Sequence, residues 1–206
     1  MRNRALISIL ASLGAIVAAT GALAAGEKHV SVQVVDQRGM PIRDAVVEIE
    51  RPATSTGAFS FPWRNAMAQR NLAFTPGTLI VPRGSVVAFP NLDTVRHSIY
   101  SFSRAARFKF DLYGRDQSRT QRFDVSGTVA LGCNIHDQMR GYVRVVNTPF
   151  AAKTDQNGIA RVEGLGGGSY RVTIWHPQLR APNNEQSEML SAPASGQPVR
   201  AAVILR

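Results

Sequence analysis

Short runs in which apolar and polar side chains alternate, broken at intervals of about ten residues by glycine or proline, constrain this chain more than any other feature. Val30-Ser31-Val32-Gln33-Val34, Ala45-Val46-Val47-Glu48-Ile49-Glu50, Ser85-Val86-Val87-Ala88-Phe89, Phe108-Lys109-Phe110-Asp111-Leu112 and Thr120-Gln121-Arg122-Phe123-Asp124 all follow the pattern. No stretch shows a sustained 3.6-residue period. An all-β antiparallel sandwich is predicted.

Taken in order, the two alternating runs on either side of Asp36-Gln37-Arg38-Gly39-Met40-Pro41 predict a β-hairpin. Residues 51–70 read as a loop carrying Phe59, Phe61 and Trp63, with one helical turn over Ala66–Gln69. Further strands are predicted at 72–74, 78–81, 97–102, 128–131 and 142–146. A second hairpin is predicted where Ile159–Val162 meets Leu165–Trp175. The stretch from Pro177 to Pro193 reads as loop, and Pro198 to Leu205 as a final strand.

The chain opens with Arg2 and Arg4, an apolar run from Ala5 to Ala19 and a small-x-small signature at Ala22-Leu23-Ala24. A cleaved secretory signal peptide over residues 1–24 is expected, and with it a periplasmic location. An uncleaved anchor is the alternative, against which Ser12, Gly14, Thr20 and Gly21 interrupt the run. The whole chain carries 24 Lys+Arg against 14 Asp+Glu, a net +10. Without Arg2 and Arg4 it carries about +8, which suits an acidic partner or simply a solvated basic surface. Nucleic acid is a poor match for an exported chain.

A lone cysteine in an oxidising compartment has no intramolecular disulfide to make. Cys133 is followed by His136 and Met139 in Gly132-Cys133-Asn134-Ile135-His136-Asp137-Gln138-Met139, and Asn91-Leu92-Asp93-Thr94-Val95-Arg96-His97 offers a second imidazole from a separate turn. A thiolate, two imidazoles and a weak thioether are the donors that hold copper through both of its oxidation states. The end of a sandwich gathers loops from distant sequence, so both segments can meet there.

On these residues the segment from Leu72 to Val146 resembles the cupredoxins, most closely exported cupredoxin-like proteins labelled methylamine utilization proteins. They share Tyr100-Ser101-Phe102-Ser103 and Leu131-Gly132-Cys133-Asn134-Ile135-His136-Asp137. The resemblance implies a Greek-key sandwich over residues 70–147 binding one type 1 copper ion. His97, Cys133 and His136 would be its equatorial ligands and Met139 the axial one. Ser98 stands where cupredoxins often have an asparagine that ties the two ligand loops together.

The flanks, residues 26–51 and 148–206, resemble the two halves of a carboxypeptidase regulatory-like, transthyretin-type sandwich, with residues 52–69 as linker. The copper unit would then be inserted into that second small sandwich; one elongated sandwich with an appendage is the other arrangement.

Asp93 and Asp137 adjoin the histidines and read as solvated turn residues, with orientation of an imidazole as the alternative. His29 and His176 read as structural. Arg96, Arg104, Arg107 and Lys109 form either a docking patch or a scattered basic surface. No nucleophile elbow, marked carboxylate pair or phosphate-binding loop is present, so no enzyme activity is expected. The expected function is a one-electron carrier serving a redox partner such as a dehydrogenase or a c-type cytochrome. Copper storage, delivery or sensing is the alternative.

Overall fold

The computed structural model describes residues 28–51 and 58–206, so the expected signal peptide over 1–24 lies outside the described residues. Among the described residues no helix is long and apolar enough to cross a membrane. The strands are β1 (His29–Val35), β2 (Val46–Glu50), β3 (Ala68–Arg70), β4 (Ala73–Thr75), β5 (Thr78–Pro82), β6 (Ser85–Pro90), β7 (His97–Ser103) and β8 (Ala106–Tyr113). They continue with β9 (Ser118–Phe123), β10 (Gly127–Gly132), β11 (Arg140–Val146), β12 (Ala151–Lys153), β13 (Ile159–Glu163), β14 (Gly168–Trp175), β15 (Glu185–Ala192) and β16 (Val199–Ala202). The described chain is all-β, as the alternation requires.

A five-stranded sheet in the order β5-β11-β10-β7-β8 lies over the β6–β9 and β3–β4 pairs. Their inward faces bury Met67, Phe74, Val87, Phe89, Ile99, Phe123, Val129, Leu131 and Val143 with Cys133 and Met139. A second core joins the sheet β13-β1-β16 to the sheet β12-β2-β14-β15 and buries Val32, Val34, Val47, Ile49, Val172 and Ile174. Each such side chain removed from water stabilises the fold by about 1.5–3 kcal/mol before conformational entropy is counted.

The predicted hairpins are corrected by the pairing. β1 bonds to β13 and, in parallel, to β16, whereas β2 bonds to β12 and β14. The turn after β1 is therefore a corner between two facing sheets. β13 and β14 likewise part company, one joining β1 and the other β2 and β15. Alternation reports which face of a strand is buried and is silent on the strand beside it.

Two local expectations also change. Ala68–Arg70 is strand rather than helical turn, since Gln69 is fully buried against the β4 partner Phe74. The loop predicted over 177–193 contains β15, paired with β14 along its full length. Its Glu-Gln-Ser-Glu composition reflects an outermost strand with one wet face.

Between the two cores lies a third cluster of Val46, Ile80, Val146, Ala151 and Trp175, closed by Phe59, Phe61 and Tyr142. Trp63 stacks on Phe61 with centroids 4.6 Å apart and donates its indole N–H to the Ile80 carbonyl at 2.8 Å. The aromatic stretch of the expected linker thus covers the seam. Arg144 of β11, 5% exposed, reaches across it to Glu48 of β2 and to Glu185 of β15 at 2.6 Å, and also bonds Thr128 at 3.0 Å. Burial pushes the Glu48 carboxyl above its ordinary value, with the Arg144 charge opposing that shift.

Candidate metal centre

The site forms where β10 ends and β7 begins. Gly132, the last residue of β10, pairs with Tyr100 and has the Tyr100 ring against it; a Cβ there would stand 2.6 Å from Tyr100 Cζ. That close approach sets Cys133 beside the start of β7. On β7 the register slips between His97 and Ile99, and His97, Ser98 and Ile99 are all buried. A bulge of this kind re-aims side chains next to functional sites.

His97 Nδ1 lies 3.8 Å from Cys133 Sγ, His136 Nδ1 lies 3.6 Å from the same sulfur, and the two nitrogens are 3.2 Å apart. These three are the one group of His, Cys, Asp and Glu donors among the described residues that could hold a metal ion. A point equidistant from the three atoms of that triangle lies roughly 2.1 Å from each, matching metal–imidazole bonds and slightly short of metal–thiolate ones. Two imidazoles and one thiolate in a near-trigonal set suit copper. Cys133 is a free, buried thiol.

The fourth predicted residue, Met139, is 2% exposed and packs in the same core cluster as Cys133. Its backbone N–H donates to the His136 carbonyl at 2.9 Å, which closes the loop into a tight turn. Met139 and Cys133 are among the residues that line a groove of about 590 Å³, with Tyr100, Phe102, Arg140 and Tyr142. Gly141, just after the loop, lets Phe74 pack against the backbone.

Ser98 Oγ accepts the Asn134 N–H at 3.1 Å, so a hydroxyl joins the two ligand-bearing segments. Burial differs between the histidines: His97 is fully buried, whereas His136 is half-buried. Asp137 is exposed, as its reading as a turn residue expects.

Asp93 corrects the reading as a solvated turn residue. The ring nitrogen of His97 that faces away from the sulfur, Nε2, donates to Asp93 Oδ2 at 2.8 Å. An ionised carboxylate only accepts, which assigns the hydrogen to Nε2 and leaves the Nδ1 lone pair directed at the centre. The Asn71 N–H donates to Asp93 Oδ1, and the Leu72 N–H to Oδ2 at 3.1 Å. Burial acts to raise the Asp93 carboxyl, but the bonds from His97, Leu72 and Asn71 outweigh it and hold the group below its ordinary 3.8.

Beneath Asp93 lies fully buried Asn91, which the sequence offers only as the start of the turn before His97. Its Oδ1 accepts the Asp93 N–H at 2.9 Å, and its Nδ2 donates to the carbonyls of Val95 at 2.8 Å and Tyr113 at 3.0 Å. The Tyr113 hydroxyl bonds Gln69 at 2.6 Å, and burial drives its ionisation far above the usual range. The signal available in sequence was Asn91-Leu92-Asp93, an Asx turn with acceptors two residues apart.

The other histidines are outside the centre. Gly196 packs against the His29 ring, and His176 lies in a loop where burial lowers its basicity and its Nδ1 accepts the Gln178 N–H at 3.3 Å. Arg104 and Arg107 are exposed; Lys109 pairs with Asp111 at 3.6 Å, and Arg96 donates to the Leu112 carbonyl at 3.2 Å.

No protein-family model matches the chain, and no curated protein does. Among solved structures it is similar to a purple cupredoxin from Nitrosopumilus maritimus at 20% identity, over 39% of this chain and 98% of that one, with a TM-score of 0.36. It is also similar to a reduced amicyanin variant at 20% identity, over 48% and 98% of the two chains, with a TM-score of 0.37. A copper-containing nitrite reductase from Thermus scotoductus matches at 22% identity, over 47% of this chain and 25% of that one, with a TM-score of 0.39. The chain itself is an all-β protein of several sheets, whose His97, Cys133 and His136 could hold a metal ion.

Proposed function

We propose that this protein is an exported type 1 copper protein that carries single electrons between an acidic redox donor, such as a dehydrogenase or a c-type cytochrome, and an acceptor. The observation that supports this reading is the convergence of His97 Nδ1, Cys133 Sγ and His136 Nδ1 into a triangle of 3.2, 3.6 and 3.8 Å. Copper bound there would supply a one-electron couple.

The chain's own residues then divide the work. Cys133 contributes a soft thiolate that suits the reduced ion, and the two imidazoles tolerate both oxidation states. Met139, buried in the same core cluster as Cys133, would supply a weak thioether donor. His97, fully buried and tied to Asp93, holds its place, while half-buried His136 beside exposed Ile135 is the route to a docked partner. In this reading residues 70–147 form the copper-binding unit, set within a second small sandwich built from 26–51 and 148–206.

The test is to add Cu(II) to the purified protein and to Cys133→Ser and record visible spectra. An intense thiolate-to-copper band in the wild type that disappears in the variant supports the proposal. A colourless wild type that binds stoichiometric copper refutes it.

A further inference from the structure

Asp93 is bound more completely than the turn it occupies requires. Its side chain is 10% exposed, and both oxygens are engaged, Oδ1 by the Asn71 N–H and Oδ2 by the Leu72 N–H and His97 Nε2. Its own N–H is fixed by Asn91. Asn71 and Leu72 both hold positive φ, 54° and 56°, in the turn between β3 and β4. Leucine adopts that region rarely, so a fixed acceptor for its N–H stabilises the turn. One carboxylate thus connects a left-handed turn, a buried asparagine and the buried donor histidine.

Resting on the copper reading above, we infer that Asp93 is a positioning residue that locks His97 onto the metal and sets the redox balance of the site in favour of the divalent ion. Two physical effects carry this. A carboxylate that accepts the distal N–H fixes ring orientation and makes the proximal nitrogen a better donor. Its negative charge, sheltered from water, also attracts a doubly charged ion more strongly than a singly charged one. A residue that only shaped the turn would do neither selectively, because misplacing His97 weakens both oxidation states alike.

The experiment measures Cu(II) and Cu(I) affinities by chelator competition, and the reduction potential, for the wild type and Asp93→Asn. Asparagine keeps the size and one acceptor but removes the charge. The expected result is a fall in the Cu(II)-to-Cu(I) affinity ratio of about tenfold, equivalent to a rise of about 59 mV for a one-electron couple. Equal losses for both ions, or an unchanged ratio, would overturn the inference while leaving the carrier reading intact, provided the wild type shows its thiolate band. A wild type without that band brings down the carrier reading itself. Should Asp93→Asn fail to fold, Asp93→Ser retains a hydroxyl acceptor in the turn and is judged by the same ratio.

Discussion

Replacing Arg144 by methionine tests how the two cores are held together. The guanidinium side chain is 6% exposed, and its partners Glu48 and Glu185 are 13% and 30% exposed. Methionine fills much of the same space but leaves Glu48 with no cation in the seam. Breaking a buried pair from one side costs about 3–5 kcal/mol, because the surviving charge is stranded. Glu185 is wet enough to rehydrate, so the lower end, about 3 kcal/mol at pH 7, is expected. For a chain of this size that is a fall in Tm of about 6–12 °C.

The deficit also depends on pH. Glu48 already titrates above its ordinary 4.5, and without Arg144 it rises further. Protonation in the folded state then removes the stranded charge, so the gap between variant and wild type narrows as pH falls from 7 towards 5. Thermal unfolding followed by circular dichroism across that range measures both effects. Adding Glu48→Met should recover most of the loss, as apolar replacements of buried pairs commonly do. An Arg144→Met protein within about 2 °C of wild type at pH 7, or a double variant worse than the single one, would refute the reasoning.

Gly141→Ala would place a Cβ 2.9 Å from Cβ and Cγ of buried Phe74, so denaturant unfolding should show a loss of about 1–3 kcal/mol. Asn91→Ala strands the Val95 and Tyr113 carbonyls and the Asp93 N–H, and the same assay should register about 2–3 kcal/mol. His176 is held below its ordinary 6.5 by burial, against a weaker pull from Asp44. The unfolded chain therefore takes up this proton first, and stability declines as pH drops below about 6.5. His176→Asn should flatten that part of a pH–stability curve.

Strands and donors were legible in the sequence for different reasons. Val32, Val34, Val47 and Ile49 announce strands because alternation is imposed locally by one buried face. Which strand lies next to which is decided by the packing of whole sheets, so the corner after β1 read as a hairpin. β15 escaped notice because an edge strand that exposes Ser187, Met189 and Ser191 satisfies its backbone against β14 without a clear apolar alternation. Cys133, His97 and His136 stood out because a single cysteine followed three residues later by a histidine, with a second histidine in a separate turn, is a rare grouping of metal donors. Asp93 was legible only as a neighbour of His97 with imidazole orientation as the lesser reading, and Arg144 not at all, because a carboxylate in a turn and an arginine in a strand are common and acquire their roles from partners distant in sequence, Asn71 and Leu72 for one and Glu48 and Glu185 for the other.

X-ray absorption of the copper-loaded protein at the copper edge tests the central claim most directly, because it reads the ligand atoms themselves. One short thiolate sulfur and two imidazole nitrogens around the copper are predicted, with the short sulfur lost in Cys133→Ser and one imidazole lost in His97→Ala. A first shell of nitrogen and oxygen alone in the wild type would contradict the account.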